Sequence, residues 1–248
     1  MKLAIFSHCA IDTITLNGFS YEQIGGAACY AGLTARQFNF DVDLYTKFGK
    51  DFPMQYLTQN KIHFENALSD KLTTRFAIDI TNSDRVLRLL NECEPIEYII
   101  IDADCHLITT IFHEISHETF GQIKKDSIFT LVDPQGFLRR IDSEKNIFLK
   151  YTELDLSNVN AIKVNPEEYP EFKKRVIKPT RRRDLENKVQ WISLRVFFLN
   201  KKNEICYLKE ELDLYTKKMG LGNVLWLHCR FLKAKNFKKV IMSLCEPR

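Results

Sequence analysis

GGAACYAGLTARQFNFDVDLYTKFG, residues 25–49, decides how the rest of the chain is read. Adjacent glycines, Gly25 and Gly26, let the backbone take positive φ and approach a ligand closely. The small-residue run that follows, Ala27, Ala28, Ala31, Gly32 and Ala35, has helix propensity and can lie tight against a sheet. Val42, Leu44 and Thr46 then alternate with Asp43, Tyr45 and Lys47, which predicts a half-buried strand running towards Gly49. Turn, helix and strand in this order are the beginnings of an α/β protein.

Upstream, KLAIFSHC (2–9) is a short apolar run suited to a buried central strand. AIDTITLNG (10–18) alternates Ile14 and Leu16 with Thr13 and Thr15, a second and half-exposed strand. Asp12 stands at the joint between the two. A carboxylate at the C-terminal end of a central strand lies where open α/β sheets bind ligands. Asp12 is therefore expected across a small-molecule pocket from the Gly25–Gly26 turn.

Downstream, residues 54–60 predict a short helix. KLTTRFAIDI (71–80) and RVLRLL (85–90) flank Thr81–Asp84 in a strand–turn–strand pattern. With strand content within about 12–20 and 41–48, they predict a small sheet apart from the core. EYIIID (97–102), SIFTLVD (127–133) and NAIKVN (160–165) predict further central strands. An amphipathic stretch carrying Ile111, Ile115 and Phe120 lies between the first two. HEISH (113–117) has the outline of a zinc motif but lacks a third ligand, and it is read as part of the strand–helix alternation. Asp133-Pro134-Gln135-Gly136 is a turn.

Asn165-Pro166-Glu167-Glu168 carries the start signals of a helix: a capping amide, proline at the first position and acids in the first turn. Residues 189–199 and 204–215 predict a terminal hairpin. Gly220 and Gly222 precede an apolar run, an arrangement whose free N–H groups and helix dipole suit an anion.

Composition narrows the function. At 248 residues, with 45% hydrophobic and 27% charged residues, the chain suits one α/β domain spanning 1–248. No apolar run approaches the roughly 18–20 residues of a membrane helix. The seven cysteines are scattered and never form a CxxC pair, which fits a reducing cytoplasm. The net charge of +4 permits an anionic ligand without demanding nucleic acid. The basic run KKRVIKPTRRR (173–183) has no interleaved aromatic residues for stacking on bases and is read as a solvated surface.

The Gly-Gly pair, small-residue helix, strand and closing Gly49 with Asp51 resemble the N-terminal signature of the PfkB (ribokinase-like) carbohydrate kinases. The resemblance is strong to Glu168 and weaker beyond it. It implies a doubly wound sheet flanked by helices, with a small β-sheet lid that can pair two copies as a homodimer. It further implies transfer of the ATP γ-phosphoryl group to a hydroxyl of a small-molecule sugar or nucleoside. Asp12, Gly25, Gly26 and Cys29 would then bind the acceptor, and Asn165 and Glu168 would order Mg²⁺ and the phosphates. Gly220, Gly222 and the residue at 223 would form the catalytic loop.

The chain departs from that pattern in particular places. Cys29 stands for Asn, Met219 for Thr, and Asn223 for the Asp that deprotonates the acceptor. No glycine lies between Gly136 and Gly220. The alternative implied by these changes is a non-catalytic relative that keeps the sugar pocket as a binding or regulatory protein.

Overall fold

The computed structural model describes residues 1–81, 85–164, 195–199 and 205–206, the last two segments as main chain only. The chain opens with β1 (Lys2–Phe6), whose side chains alternate between two apolar layers. Leu3 and Ile5 enter one buried cluster, Ala4 and Phe6 the other. Such burial on both faces is what a central parallel strand requires.

Beyond β1 the chain leaves for a second sheet, through β2 (Ala10–Leu16) and β3 (Phe19–Gly25). These two form a hairpin closed by Asn17 and Gly18, both at positive φ, with Leu16 opposite Phe19. Asn-Gly in a two-residue loop is the strongest short hairpin signal a sequence carries.

The chain then returns to the first sheet with α1 (Ala27–Gln37) and β4 (Asp41–Tyr45), the latter pairing parallel to β1. The 41–45 strand thus belongs to the large sheet, not to the small one in which the sequence reading placed it. Val42 and Leu44 face the same cluster as Leu3 and Ile5, because α1 needs an apolar floor and its small residues allow close approach. There follow α2 (Gln55–Gln59), β5 (His63–Phe64), and then β6 (Thr74–Ile80) and β7 (Arg85–Asn91), which complete the small sheet in the order β3-β2-β6-β7.

Residues 97–102 do not form the expected strand. Ile99 and Ile100 are exposed there, and the buried strand is β8 (Cys105–Thr109), a few residues on. The next elements are α3 (His117–Lys125), β9 (Thr130–Asp133) and α4 (Gln135–Leu138). A small hairpin follows, β10 (Arg139–Ile141) with β11 (Ile147–Leu149), and then β12 (Ala161–Val164). Finally β13 (Arg195–Leu199) and β14 (Ile205–Cys206) join antiparallel at the edge, as the predicted terminal hairpin requires.

The large sheet runs β14-β13-β12-β9-β8-β1-β4-β5, with α1 on one face and the α3 residues Phe120 and Ile123 packed on the other. Strand order reverses at β1: the chain goes next to β4 on one side and later to β8 on the other. Crevices outside the strand ends at such a reversal are the ligand sites of doubly wound sheets.

Two polar knots tie the small sheet to the large one. Buried His8 follows β1. Its Nε2 donates to the Glu94 carbonyl at 2.7 Å, so its Nδ1 accepts from Thr74 Oγ1 at 2.9 Å, and that oxygen accepts in turn from Cys93 N. Burial lowers the His8 pKa, which keeps the ring neutral for this relay. The second knot is Asp51, the acid beyond Gly49. It accepts from Thr73 N and Oγ1 and forms a two-pronged ion pair with Arg75, which also reaches Glu22. Asp51→Ala strips Thr73 and Arg75 of that partner. It is expected to cost about 1–3 kcal/mol in chemical denaturation and to speed amide exchange in β6; an unchanged midpoint would show that the knot is dispensable.

Candidate active site

Between the two sheets lies a cavity of about 330 Å³ at the C-terminal ends of the central strands. Its base comes from β8 and β9, through Leu107, Thr109, Leu131 and Asp133, and from Lys163 of β12. Its roof is the small sheet. The register puts Asp12, Phe76 and Leu89 side by side, then Ile14, Ile78 and Leu87, and then Ile80 with Arg85, all on one face. Phe76, Ile78, Leu87 and Arg85 line the cavity from that face, and Ala27 and Tyr30 of α1 close one side.

Asp12 is the buried acid of the site. It is 8% exposed, and its Oδ1 is buried with no hydrogen-bond partner among the described residues. Burial pushes its carboxyl up to about 6, although the nearby Arg85 and Arg139 guanidiniums pull it back down. No ion pair closes on Asp12 among the described residues.

The two glycines serve different ends. A Cβ at Gly25 would stand 2.1 Å from Asp12 Oδ2, so that glycine makes room for the carboxylate. Gly26 has φ 86°, caps α1, and would drive a Cβ to 2.6 Å from the His8 carbonyl. Gly26 lines the cavity with Asp12, whereas Gly25 packs against the Asp12 carboxylate and does not line it.

Cys29 does not line the cavity. It is fully buried in the core beneath α1, paired with the Cys9 thiol, and that pairing with burial holds its pKa far above the usual thiol range. The reading of Cys29 as an acceptor ligand is therefore corrected: its helix face points at the large sheet. Glu114 of HEISH is likewise structural, since its carboxylate accepts from Ile111 N at 2.6 Å, Phe112 N at 2.8 Å and His8 N at 3.3 Å. Asn165, Glu168, Gly220, Gly222 and Asn223 lie outside the described residues, as does the basic run 173–183.

Several cavity residues were missed in the sequence. Lys163 Nζ and Asp133 Oδ2 form an ion pair of 2.5 Å, both side chains 12% exposed, across the ends of β9 and β12. Arg139, immediately after α4, donates to the Ile111 carbonyl and lies over the Phe76 ring, 5.8 Å from its centroid. Gly136 permits this turn, because its N–H bonds to the Thr110 carbonyl and hydroxyl and a Cβ there would meet the backbone of 111–112. The signal for these residues was their position at strand ends, which a correct register for β8 would have supplied.

No protein-family model matches the sequence, and no curated protein matches it. Solved structures do. A pyrophosphate-dependent kinase in the ribokinase family, complexed with a pyrophosphate analog and myo-inositol, superposes with TM-score 0.62 at 17% identity, over 68% of this chain and 63% of that one. A sulfate complex of a pyrophosphate-dependent kinase in the same family gives TM-score 0.58 at 16% identity, over 64% and 60%. A myo-inositol kinase with altered positional specificity gives 0.60 at 18%, over 68% and 62%. The match thus spans less than two thirds of the length of each of these structures. The fold is ribokinase-like, an α/β sheet flanked by helices.

The raised Asp12 pKa has a sign that can be tested. Between about pH 4 and pH 6 the folded state binds a proton that the unfolded state has released, so stability falls as pH rises through that window. Above it, the ionised Asp12 weighs against folding. Asp12→Asn is expected to raise the Tm at pH 7 and to leave it nearly unchanged near pH 4; a loss of stability at pH 7 would contradict the assignment.

Proposed function

We propose that this protein transfers a phosphoryl group to a hydroxyl of a small sugar or nucleoside held at Asp12. The observation that carries the reading is a buried carboxylate, without a hydrogen-bond partner on Oδ1 among the described residues, lining a cavity at the strand-order reversal. An ionised carboxylate there accepts charge-assisted hydrogen bonds from acceptor hydroxyls, about twice as strong as neutral ones. Phe76, Ile78 and Leu87 exclude water and favour the apolar face of the acceptor ring. Lys163, held by Asp133, keeps a cation at the floor, where a phosphate oxygen is stabilised.

The donor belongs to residues further along the chain. Among the described residues no group of three or more His, Cys, Asp or Glu could hold a metal. On the resemblance of the sequence pattern, Mg²⁺ is assigned to Asn165 and Glu168, with the phosphates at Gly220 and Gly222. ATP with Mg²⁺, when bound, supplies the transferable group and neutralises charge at it. Pyrophosphate is the second donor to test, since it is the donor of the similar kinases. Among the described residues Cys9, Cys29, Cys93 and Cys105 are buried and not disulfide-bonded, which supports a reducing, cytoplasmic setting.

The inner face of the small sheet continues past the cavity through Leu16, Phe19 and Tyr21, with Phe19 81% exposed. This reading makes that apolar extension the contact of a homodimer. Phe19→Ser is expected to convert a dimer to a monomer in sedimentation equilibrium, and a wild-type monomer at high concentration would remove the proposal.

Asn223 sets the expected rate. An amide cannot accept the hydroxyl proton, and general-base catalysis is worth ~10²–10⁴-fold. Turnover is therefore expected to be slow, and Asn223→Asp should raise it at least about tenfold, roughly 1.4 kcal/mol in the barrier. Product formation from radiolabelled ATP–Mg²⁺ or pyrophosphate measures both. A wild-type rate of about 1–100 s⁻¹ would place the base elsewhere. Acceptor binding with no transfer in either form would favour the non-catalytic binding protein, for which the substitution at 223 is the motive.

A further inference from the structure

We infer, resting on the acceptor site proposed above, that Glu114 is its positioning residue. The carboxylate ties the wall beyond β8 to the start of the small sheet and so sets the gap that the acceptor enters.

Glu114 is 1% exposed and does not line the cavity, so it acts through the groups it holds. β8 ends at Thr109, and the main-chain groups that follow have left the ladder. The Ile111 amide donates to Glu114 Oε1 at 2.6 Å, and the Phe112 amide to Oε2 at 2.8 Å. Oε1 also accepts from the His8 amide at 3.3 Å, in the junction between β1 and β2. One carboxylate thus joins two segments that diverge from neighbouring strands. Ile111 is a wall of the cavity, and Asp12 follows His8 on β2. A buried amide stripped of its partner is costly, so all three donors hold their places through this one group.

The residues around Glu114 serve the same end. His113 takes φ 52°, a left-handed turn that folds Glu114 back towards 111 and 112, and its Nε2 donates to the Arg139 carbonyl at 2.7 Å. The Ile96 amide donates to the Glu114 carbonyl at 2.8 Å. Gly136 covers the other side of the segment, where a Cβ would stand 2.9 Å from both the Ile111 and Phe112 nitrogens. Ile111 and Phe112 then pack with Ala10, Ile14, Phe76 and Ile78 beneath the roof. The roof reaches the same point from above, because Thr74 is bonded to the His8 ring. Hydrogen bonds therefore run from Thr74 through His8 and Glu114 to Ile111, from the first residue of β6 to the cavity wall. Phe76 and Ile111, which face one cavity, are spaced through that series. A misplacement of ~1 Å beside a reacting group can cost about 10²-fold.

The test uses the full chain and two variants. Glu114→Gln keeps the volume and one acceptor oxygen but sets an NH₂ group against an amide donor. Glu114→Leu keeps no acceptor at all. Titration calorimetry is run with myo-inositol, D-fructose, D-ribose and uridine. Whichever of these the wild type binds is expected to weaken at least about tenfold in Glu114→Gln, and further in Glu114→Leu if it folds. The KM for ATP–Mg²⁺ or pyrophosphate should stay within about twofold, since the donor belongs to other residues. Asp155→Ala, which breaks the ion pair with Lys124 away from the cavity lining, is the control for stability. It is expected to lower the Tm and leave acceptor affinity unchanged. An equal loss of affinity in Asp155→Ala at equal loss of Tm would overturn the inference, as would wild-type affinity in a folded Glu114→Gln. Amide exchange needs no ligand. In Glu114→Gln the amides of β2 and of 110–112 should exchange at least about tenfold faster, with β12 unchanged; an unchanged β2 would sink the inference even if none of the four compounds binds. Turnover is read separately. Binding weakened in Glu114→Gln, with no phosphorylation by either donor in the wild type, leaves this inference standing and removes the kinase reading. Phosphorylation with a wild-type acceptor KM in Glu114→Gln does the reverse.

Discussion

The structure depends on a close approach of backbone to backbone where the chain passes between its two sheets. Gly26 lies against the His8 carbonyl and the Ala10 amide, with no room for a side chain, and Gly25 leaves the volume that the Asp12 carboxylate occupies. Replacing either glycine by any other residue would push α1 and β3 away from the β1–β2 junction. The buried acid, the helix that walls its cavity and the first strand of the large sheet are therefore placed by one contact. The cost of this arrangement is a carboxylate whose desolvation is only partly offset by two guanidiniums at a distance. Among the described residues Asp12 Oδ1 has no hydrogen-bond partner, and acids in such surroundings cluster at functional sites.

Much of this was legible in the residues. The apolar run of β1, the small residues of α1 and the paired strands around 81–84 follow from local pattern, and local pattern is what sequence reports well. The junction of Asp12 with the Gly-Gly turn was legible too, because both lie at strand ends.

What escaped was register over long range. The strand at 41–45 alternates like a lid strand, yet α1 returns it to the side of β1; amphipathic alternation does not say which sheet supplies the partner. The apolar run at 97–102 looks more strand-like than Cys105–Thr109, but only the latter reaches the pairing of β1 and β9. Cys29 sits in the right stretch and on the wrong side of its helix, a difference of about 100° per residue that a motif match does not resolve. The hairpin of β2 and β3 was also missed, although Asn17-Gly18 carries its signal. Arg139 and Lys163 had no local signal, since a lone cation beside a strand end is ordinary until the strand's neighbours are known.

The lining of the cavity is divided between two sheets. Gly26 and the Lys163–Asp133 pair belong to the helix start and strands of the large-sheet layer, while Asp12 is carried by β2 of the small sheet at its junction with β1. Phe76, Ile78, Leu87 and Arg85 come from β6 and β7, which are tied to the body through Thr73, Thr74 and Arg75 at the base and through the Leu89 amide on the Lys145 carbonyl, with Phe76 directly opposite Asp12 of β2. The cavity is thus walled on one side by two consecutive strands, Thr74–Ile80 and Arg85–Asn91, and floored on the other by the ends of strands far apart in the chain, so one short stretch of sequence shapes a whole wall.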